Sequence, residues 1–271
     1  MRYVVDDGIE YAIDEDGTLC RIASVYGGNT VKIMEIEIPS IISNTRITAI
    51  GKNAFQGEYG EVRISPEIRE VREMAFARTT IDTLHWPKYC FEIPVGCFMH
   101  SCIAQILGLE NVTRIGGKAF LDTEISEFDW PTKCKVIPFK CFCCTRMDSL
   151  RGVEHVTVIE PMAFHNCYMT EIPDMENVKE IGMEAFAYSS IRCMKWPPKC
   201  KTVPNGCFKG SELSRITNLK NIERIDKYAF YCTSNLKKID LSDSIVSFIG
   251  EGAFDGGEGK ALKPPYYENF V

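Results

Sequence analysis

Ten of the 15 phenylalanines in this 271-residue chain share one register, and no other feature restricts the fold as sharply. Phe55, Phe76, Phe98, Phe120, Phe142, Phe164, Phe186, Phe208, Phe230 and Phe254 are separated by 21 residues, then seven times by 22, then by 24. The residue before each is small: Ala54, Ala75, Cys97, Ala119, Cys141, Ala163, Ala185, Cys207, Ala229 and Ala253. Five before each lies Ile or Val, from Ile50 and Val71 to Ile225 and Ile249. Eight before, the column reads Ile47, Ile68, Cys90, Val112, Cys134, Val156, Val178, Cys200, Ile222 and Val246. Columns this uniform describe equivalent coils whose side chains pile into internal ladders. The spacing therefore predicts a β-rich repeat solenoid of about ten 22-residue coils, with a parallel sheet on one face.

The first apolar positions of a coil fall 17 and 14 before the Phe, as in Ile81 and Leu84 or Ile125 and Phe128, and predict one short strand per coil. Pro or Gly often follows the Ile/Val column (Gly51, Pro94, Gly116, Pro138, Gly182, Pro204, Gly250) and turns the chain there. Three coils carry Trp-Pro-x-x-Cys-x-x-Ile/Val-Pro-x-x-Cys-Phe, beginning at Trp86, Trp130 and Trp196. Neighbouring coils hold Gly108, Gly152, Asp174 or Asn218 at the Trp position, so these rings are expected to interdigitate with short residues.

The segments Ile50-Gly51-Lys52-Asn53-Ala54-Phe55, Ile115-Gly116-Gly117-Lys118-Ala119-Phe120 and Ile249-Gly250-Glu251-Gly252-Ala253-Phe254 resemble the Ile-Gly-x-x-Ala-Phe motif of BspA-like leucine-rich repeats. Arg72, Glu160 and Asp226, besides three prolines, replace the motif glycine. The resemblance implies a leucine-rich repeat solenoid that acts as an adhesive or recognition module, commonly at microbial cell surfaces. Residues 1–45 are expected to form a capping hairpin and lead-in, 46–254 the solenoid, and 255–271 a cap edge or flexible tail. In the first segment Asp14-Glu15-Asp16-Gly17 separates two strand-like runs, and such a hairpin would cover the first coil.

Composition narrows the function. Lys and Arg total 31 against 37 Asp and Glu, a net charge of −6, which speaks against nucleic acid as a partner. No apolar run is long enough to span a bilayer. Met1-Arg2-Tyr3-Val4-Val5 meets Asp6-Asp7-Gly8 too early for a signal peptide. With 13 cysteines, an odd number, this favours a reducing compartment such as the cytoplasm. A chain lacking its native N-terminus would instead belong at the surface or outside the cell.

Cys90, Cys134 and Cys200 stand where other coils place Val or Ile, and Cys97, Cys141 and Cys207 where they place Ala. These six are expected to be buried free thiols. Cys102, Cys143, Cys144, His165 and Cys167, with His100, form the one concentration of metal-ligating types, but their spacing matches no zinc motif. No phosphate loop, zinc helix or nucleophile elbow occurs, so no catalytic residue, cofactor or metal is expected.

Period-two alternation sends the residues 15 and 13 before each Phe onto the open sheet face. There the chain varies from coil to coil: Glu61 and Arg63, Thr83 and His85, Gln105 and Leu107, Glu127 and Asp129, Ser149 and Arg151, Glu171 and Pro173, Cys193 and Lys195, Arg215 and Thr217. A regular scaffold presenting irregular polar chemistry suits a monomer that recognises a protein rather than a small molecule. The partner would be extracellular for an adhesin or cytosolic for a scaffold or effector.

Overall fold

Most coils of the computed structural model carry two strands where the sequence pattern predicts one. The structure describes residues 1–6, 8–24, 32–55 and 57–256, so the tail expected at the C-terminus lies outside the described residues from 257 onward. The chain forms two compact units, residues 1–134 and those from 135 on.

The first unit opens with an antiparallel meander, β1 (Arg2–Asp6), β2 (Ile9–Ile13) and β3 (Thr18–Ser24). Next come β4 (Ile33–Ile38), a small hairpin of β5 (Ile41–Ile42) and β6 (Thr45–Arg46), and β7 (Ala49–Ile50). Long strands then alternate with two-residue strands: β8 (Gly57–Ile64), β9 (Glu70–Val71), β10 (Thr79–His85), β11 (Glu92–Ile93), β12 (Cys102–Leu107), β13 (Arg114–Ile115) and β14 (Glu127–Asp129). The long strands form a parallel sheet in the order β12-β10-β8-β4. The meander joins the short strands in the order β1-β2-β3-β7-β9. Thus β3 occupies the place of a preceding coil, and Ile22 N–H donates to the Ala54 carbonyl at 2.9 Å.

The second unit repeats the plan with β15 (Val136–Ile137), β16 (Ser149–Arg151), β17 (Val158–Ile159), β18 (Glu180–Ile181), β19 (Cys193–Lys195), β20 (Thr202–Val203), β21 (Arg215–Thr217), β22 (Arg224–Ile225) and β23 (Phe248–Ile249). Its short strands pair in parallel as β15-β17-β18 and β20-β22-β23, each step advancing one coil.

Within each unit the phenylalanines stack. In the first unit Phe55, Phe76, Phe98 and Phe120 have centroids 4.5, 5.5 and 5.2 Å apart. In the second, Phe142 through Phe230 follow one another at 5.4–5.5 Å, and Phe254 closes the series at 5.4 Å. Backbone geometry enforces this repeat. All ten residues two before a ladder Phe have φ between 53° and 64°, and only Gly96, Gly206 and Gly252 among them are glycine. Residues two after the Phe are left-handed as well, Cys144 and Asn166 among them. These reversals aim alternate N–H groups at the next coil. Met162, Phe164 and Asn166 donate to the carbonyls of Met183, Ala185 and Ala187 at 3.0, 2.8 and 2.8 Å. Such hydrogen bonds offset the roughly 1–2 kcal/mol that a left-handed L-residue costs.

A further column lies three after the Phe. Thr79, Ser101, Thr123, Thr145, Ser189, Ser211 and Thr233 make up all but one of the buried polar residues among those described. The hydroxyls of Thr79, Thr123 and Thr233 donate to the carbonyls of Phe55, Phe98 and Phe208 at 3.0, 2.7 and 2.9 Å, which removes the cost of burying them.

The expected packing columns are buried except in the last coil, where Val246, Ile249 and Phe254 are half-buried. Trp86, Trp130 and Trp196 are 4%, 2% and 1% exposed, and each indole N–H donates to the carbonyl of the cysteine four residues on, at 2.8–3.0 Å. Gly182 shows how tightly coils meet, since a Cβ there would stand 2.3 Å from the Pro161 nitrogen and 2.7 Å from the Glu160 carbonyl carbon. Gly182→Ala is expected to lower unfolding free energy by about 2 kcal/mol, because backbone rather than a flexible side chain must yield. A urea titration in which the midpoint did not move would show that the coils separate freely.

Candidate functional site

In the first unit the long strands place two rows of side chains on the open face. Glu35, Glu61, Thr83 and Gln105 are cross-strand neighbours, and beside them run Glu37, Arg63, His85 and Leu107. Between the rows Ile36, Val62 and Leu84 point into the core. The charges are linked across coils. Arg63 bridges Glu61 and Glu35, the latter at 3.8 Å, and His85 Nε2 lies 2.6 Å from Glu61 Oε1. Lys32 Nζ meets Asp82 Oδ2 at 2.7 Å, and Leu107 adds an exposed aliphatic group at the end of its row. Glu127 and Asp129, on β14, flank the buried Phe128 and are exposed.

In the second unit Ser149 and Arg151 flank buried Leu150 on β16, and Glu171 bridges in parallel to Cys193, which is followed by Arg215. Lys195 pairs with Thr217 in register. Its ammonium lies 2.7 Å from Asp174 and 3.2 Å from Glu176, and hydrogen bonds to these carboxylates, Asp174 first, raise its pKa above the ordinary lysine value. Arg192 and Glu212 form a further exposed pair at 3.5 Å. All thirteen candidate side chains are therefore exposed or half-buried, on strands or at the Glu171 bridge.

Glu35 and Glu37 belong to this surface but escape the repeat rule. Glu35 pairs with Glu61 at a separation of 26 residues, not 22, because the β5–β6 hairpin lengthens the first coil. The alternation Met34-Glu35-Ile36-Glu37-Ile38, with Ile36 and Ile38 buried, is the signal that could have found them.

The cysteine–histidine concentration resolves into separate environments. Cys143 and Cys144 have their Sγ atoms 3.7 Å apart, and the Asn166 amide donates to Cys144 Sγ at 3.5 Å. Cys167 lies in the serine/threonine column, where burial pushes its thiol up to about 12. His165 is held below the ordinary imidazole value by burial, with Glu184 4.0 Å away. Cys102 is exposed, and His100 pairs with Asp122 at 2.8 Å. Among the described residues no three His, Cys, Asp or Glu side chains gather to hold a metal ion. No helix among them is long and apolar enough to cross a membrane.

The sequence matches the model of the BspA type leucine rich repeat region, in six copies, over residues 28–145 and 135–259. No curated protein matches it significantly. Among solved structures it is similar to a leucine-rich repeat protein from Bacteroides ovatus, with 19% identity, 93% of this chain and 80% of that one covered, and a TM-score of 0.56. A leucine rich cell surface protein from Faecalibacterium prausnitzii is 18% identical over 94% of this chain and 74% of its own, with a TM-score of 0.49.

Proposed function

This chain belongs to the BspA-type leucine-rich repeat family, and we propose that it is a non-catalytic recognition module binding a protein partner across its open sheet face. One observation carries the reading. The core columns repeat almost without change, whereas the outward rows Glu61, Thr83, Gln105 and Arg63, His85, Leu107 differ at every coil on the same rigid strands. Uniform ladders serve folding; residues freed from the ladder are where specificity can reside. The face mixes charge pairs with exposed aliphatic groups, a composition suited to a polar protein surface rather than a small apolar ligand. Adhesion outside the cell and scaffolding within it both use such a surface, and the partner recovered decides between them.

The test compares the protein with Arg63→Glu/His85→Ala, with Lys195→Glu, and with Lys118→Glu, which alters an exposed lysine beside the phenylalanine ladder. A protein crosslinked by the unaltered chain and by Lys118→Glu, but recovered at least tenfold less by a sheet-face variant, supports the reading. Equal recovery by all forms, or loss with Lys118→Glu alone, would place recognition elsewhere.

A further inference from the structure

The meander at the start of the first unit leaves an edge open. β1 pairs with β2 from Arg2↔Ile13 to Asp6↔Ile9 and stands first in its sheet, so among the described residues no strand lies on its other side. Four of its five residues are exposed, with Tyr3 at 60% and Val5 at 59%, while Val4 is buried. An exposed apolar edge is a template for another strand unless something blunts it. β4, the edge of the open-face sheet, is blunted by its own charges. A two-fold centred on Glu35, Ile36 or Glu37 sets glutamate against glutamate.

The sequence of β1, Arg-Tyr-Val-Val-Asp, behaves in the opposite way. About a two-fold at Val4, an antiparallel copy sets Arg2 against Asp6 and Tyr3 against Val5, each pair occurring twice. Directly opposed residues share a face, so the oppositely charged pair meets on one side and the aromatic–aliphatic pair on the other. Arg2 Nη1 donates to Thr45 Oγ1 at 3.3 Å, which leaves other guanidinium N–H groups for a carboxylate. We propose that β1 is a homodimerisation strand that pairs with β1 of a second copy in this register, joining two five-stranded sheets into one of ten strands. The contact is isologous and closes on itself, so it yields a dimer and not a fibre. It stands whether or not the open face binds a protein, and it replaces the monomer expected from sequence.

Sedimentation equilibrium of the full chain from low micromolar to several hundred micromolar tests it. Reversible monomer–dimer association is expected. Asp6→Arg, which opposes two arginines at both ends of the contact, should weaken association about tenfold or more. The exchange Arg2→Asp/Asp6→Arg restores opposite charges in this register alone and should recover it. Tyr3→Lys should also weaken association, with an unchanged circular dichroism spectrum confirming the fold. A sedimenting monomer throughout the range overturns the proposal, and so does a double exchange no better than Asp6→Arg.

Discussion

Raising the pH from 8.5 to 10.5 is expected to remove most of the stability of the fold, on the order of 5 kcal/mol per pH unit. The cause is a set of thiols built into the ladders. Burial pushes Cys90 and Cys167 up to about 12 and Cys134 and Cys200 up to about 11, and it raises Cys97 and Cys207 well above the ordinary thiol value. In the unfolded chain a cysteine titrates near pH 8.5. Between that value and the folded values the unfolded state has released its protons while the native state retains them. Unfolding is therefore favoured as pH rises, by about 1.4 kcal/mol per unit for each thiol, and Cys90, Cys134, Cys167 and Cys200 alone give the quoted slope. Below roughly pH 8.5 the two states hold the same protons and the contribution is constant. Urea titrations at pH 7.5, 9 and 10 read the slope. Cys200→Val, the residue type other coils place there, isolates one thiol from the lysines and tyrosines that also titrate, and should flatten the slope by about 1.4 kcal/mol per unit. An identical slope in Cys200→Val would mean that this thiol is solvated. Alkylation gives a second reading: exposed Cys102 and Cys193 should react in the native protein, and fully buried Cys97 and Cys207 only as it unfolds.

These thiols also mark how far the fold was legible in sequence. A cysteine occupying an Ile/Val or Ala column had to share its burial, and Cys90, Cys97, Cys134, Cys141, Cys200 and Cys207 are all 2% exposed or less. The tryptophans followed from the same logic, since a large ring next to Gly108 or Asn218 fills a gap between coils. What stayed hidden depends on backbone geometry, which residue identity does not announce. Met74, Lys140, Met162, Glu184 and Tyr228 carry no turn preference, yet each is left-handed and donates its N–H to a carbonyl of the next coil. The second strand of each coil is hidden for a related reason: two residues such as Glu92 and Ile93 pair only because the stack supplies Arg114 and Ile115 in register. Of the candidate site, the outward rows could be placed by alternation, but their electrostatics could not. Glu61 and His85 lie 24 residues apart, and their 2.6 Å contact exists because Glu61 is in register with Thr83, two residues before His85. Glu35 and Glu37 were lost because an inserted hairpin breaks the period on which the prediction rested.

Truncating one ladder ring should show whether the stack holds together as a unit. Phe164 lies in the second unit, fully buried, with Phe142 and Phe186 at 5.4 and 5.5 Å and interplanar angles of 21° and 14°. Phe164→Ala leaves its N–H free to keep the 2.8 Å bond to Ala185, so the loss comes from the side chain alone. Removing a fully buried phenylalanine costs about 3–5 kcal/mol through lost transfer energy and the cavity left behind. Two stacked contacts vanish together, which puts this site at the upper end of that range. Phe164→Leu retains most of the volume and forfeits the stacks, and should cost about 1–2 kcal/mol. Because a solenoid is stabilised by interfaces between neighbouring coils, the damage should be graded along the chain. Hydrogen exchange should accelerate most at the Phe142 and Phe186 amides, which donate to Ala163 and Cys207, and least at the distant Phe230 amide, which donates to Ala253. Uniform acceleration at all three would mean that the unit opens only as a whole and that coil interfaces are not its elementary units. A cost below about 1 kcal/mol would remove the ladder from the forces that hold the coils in register.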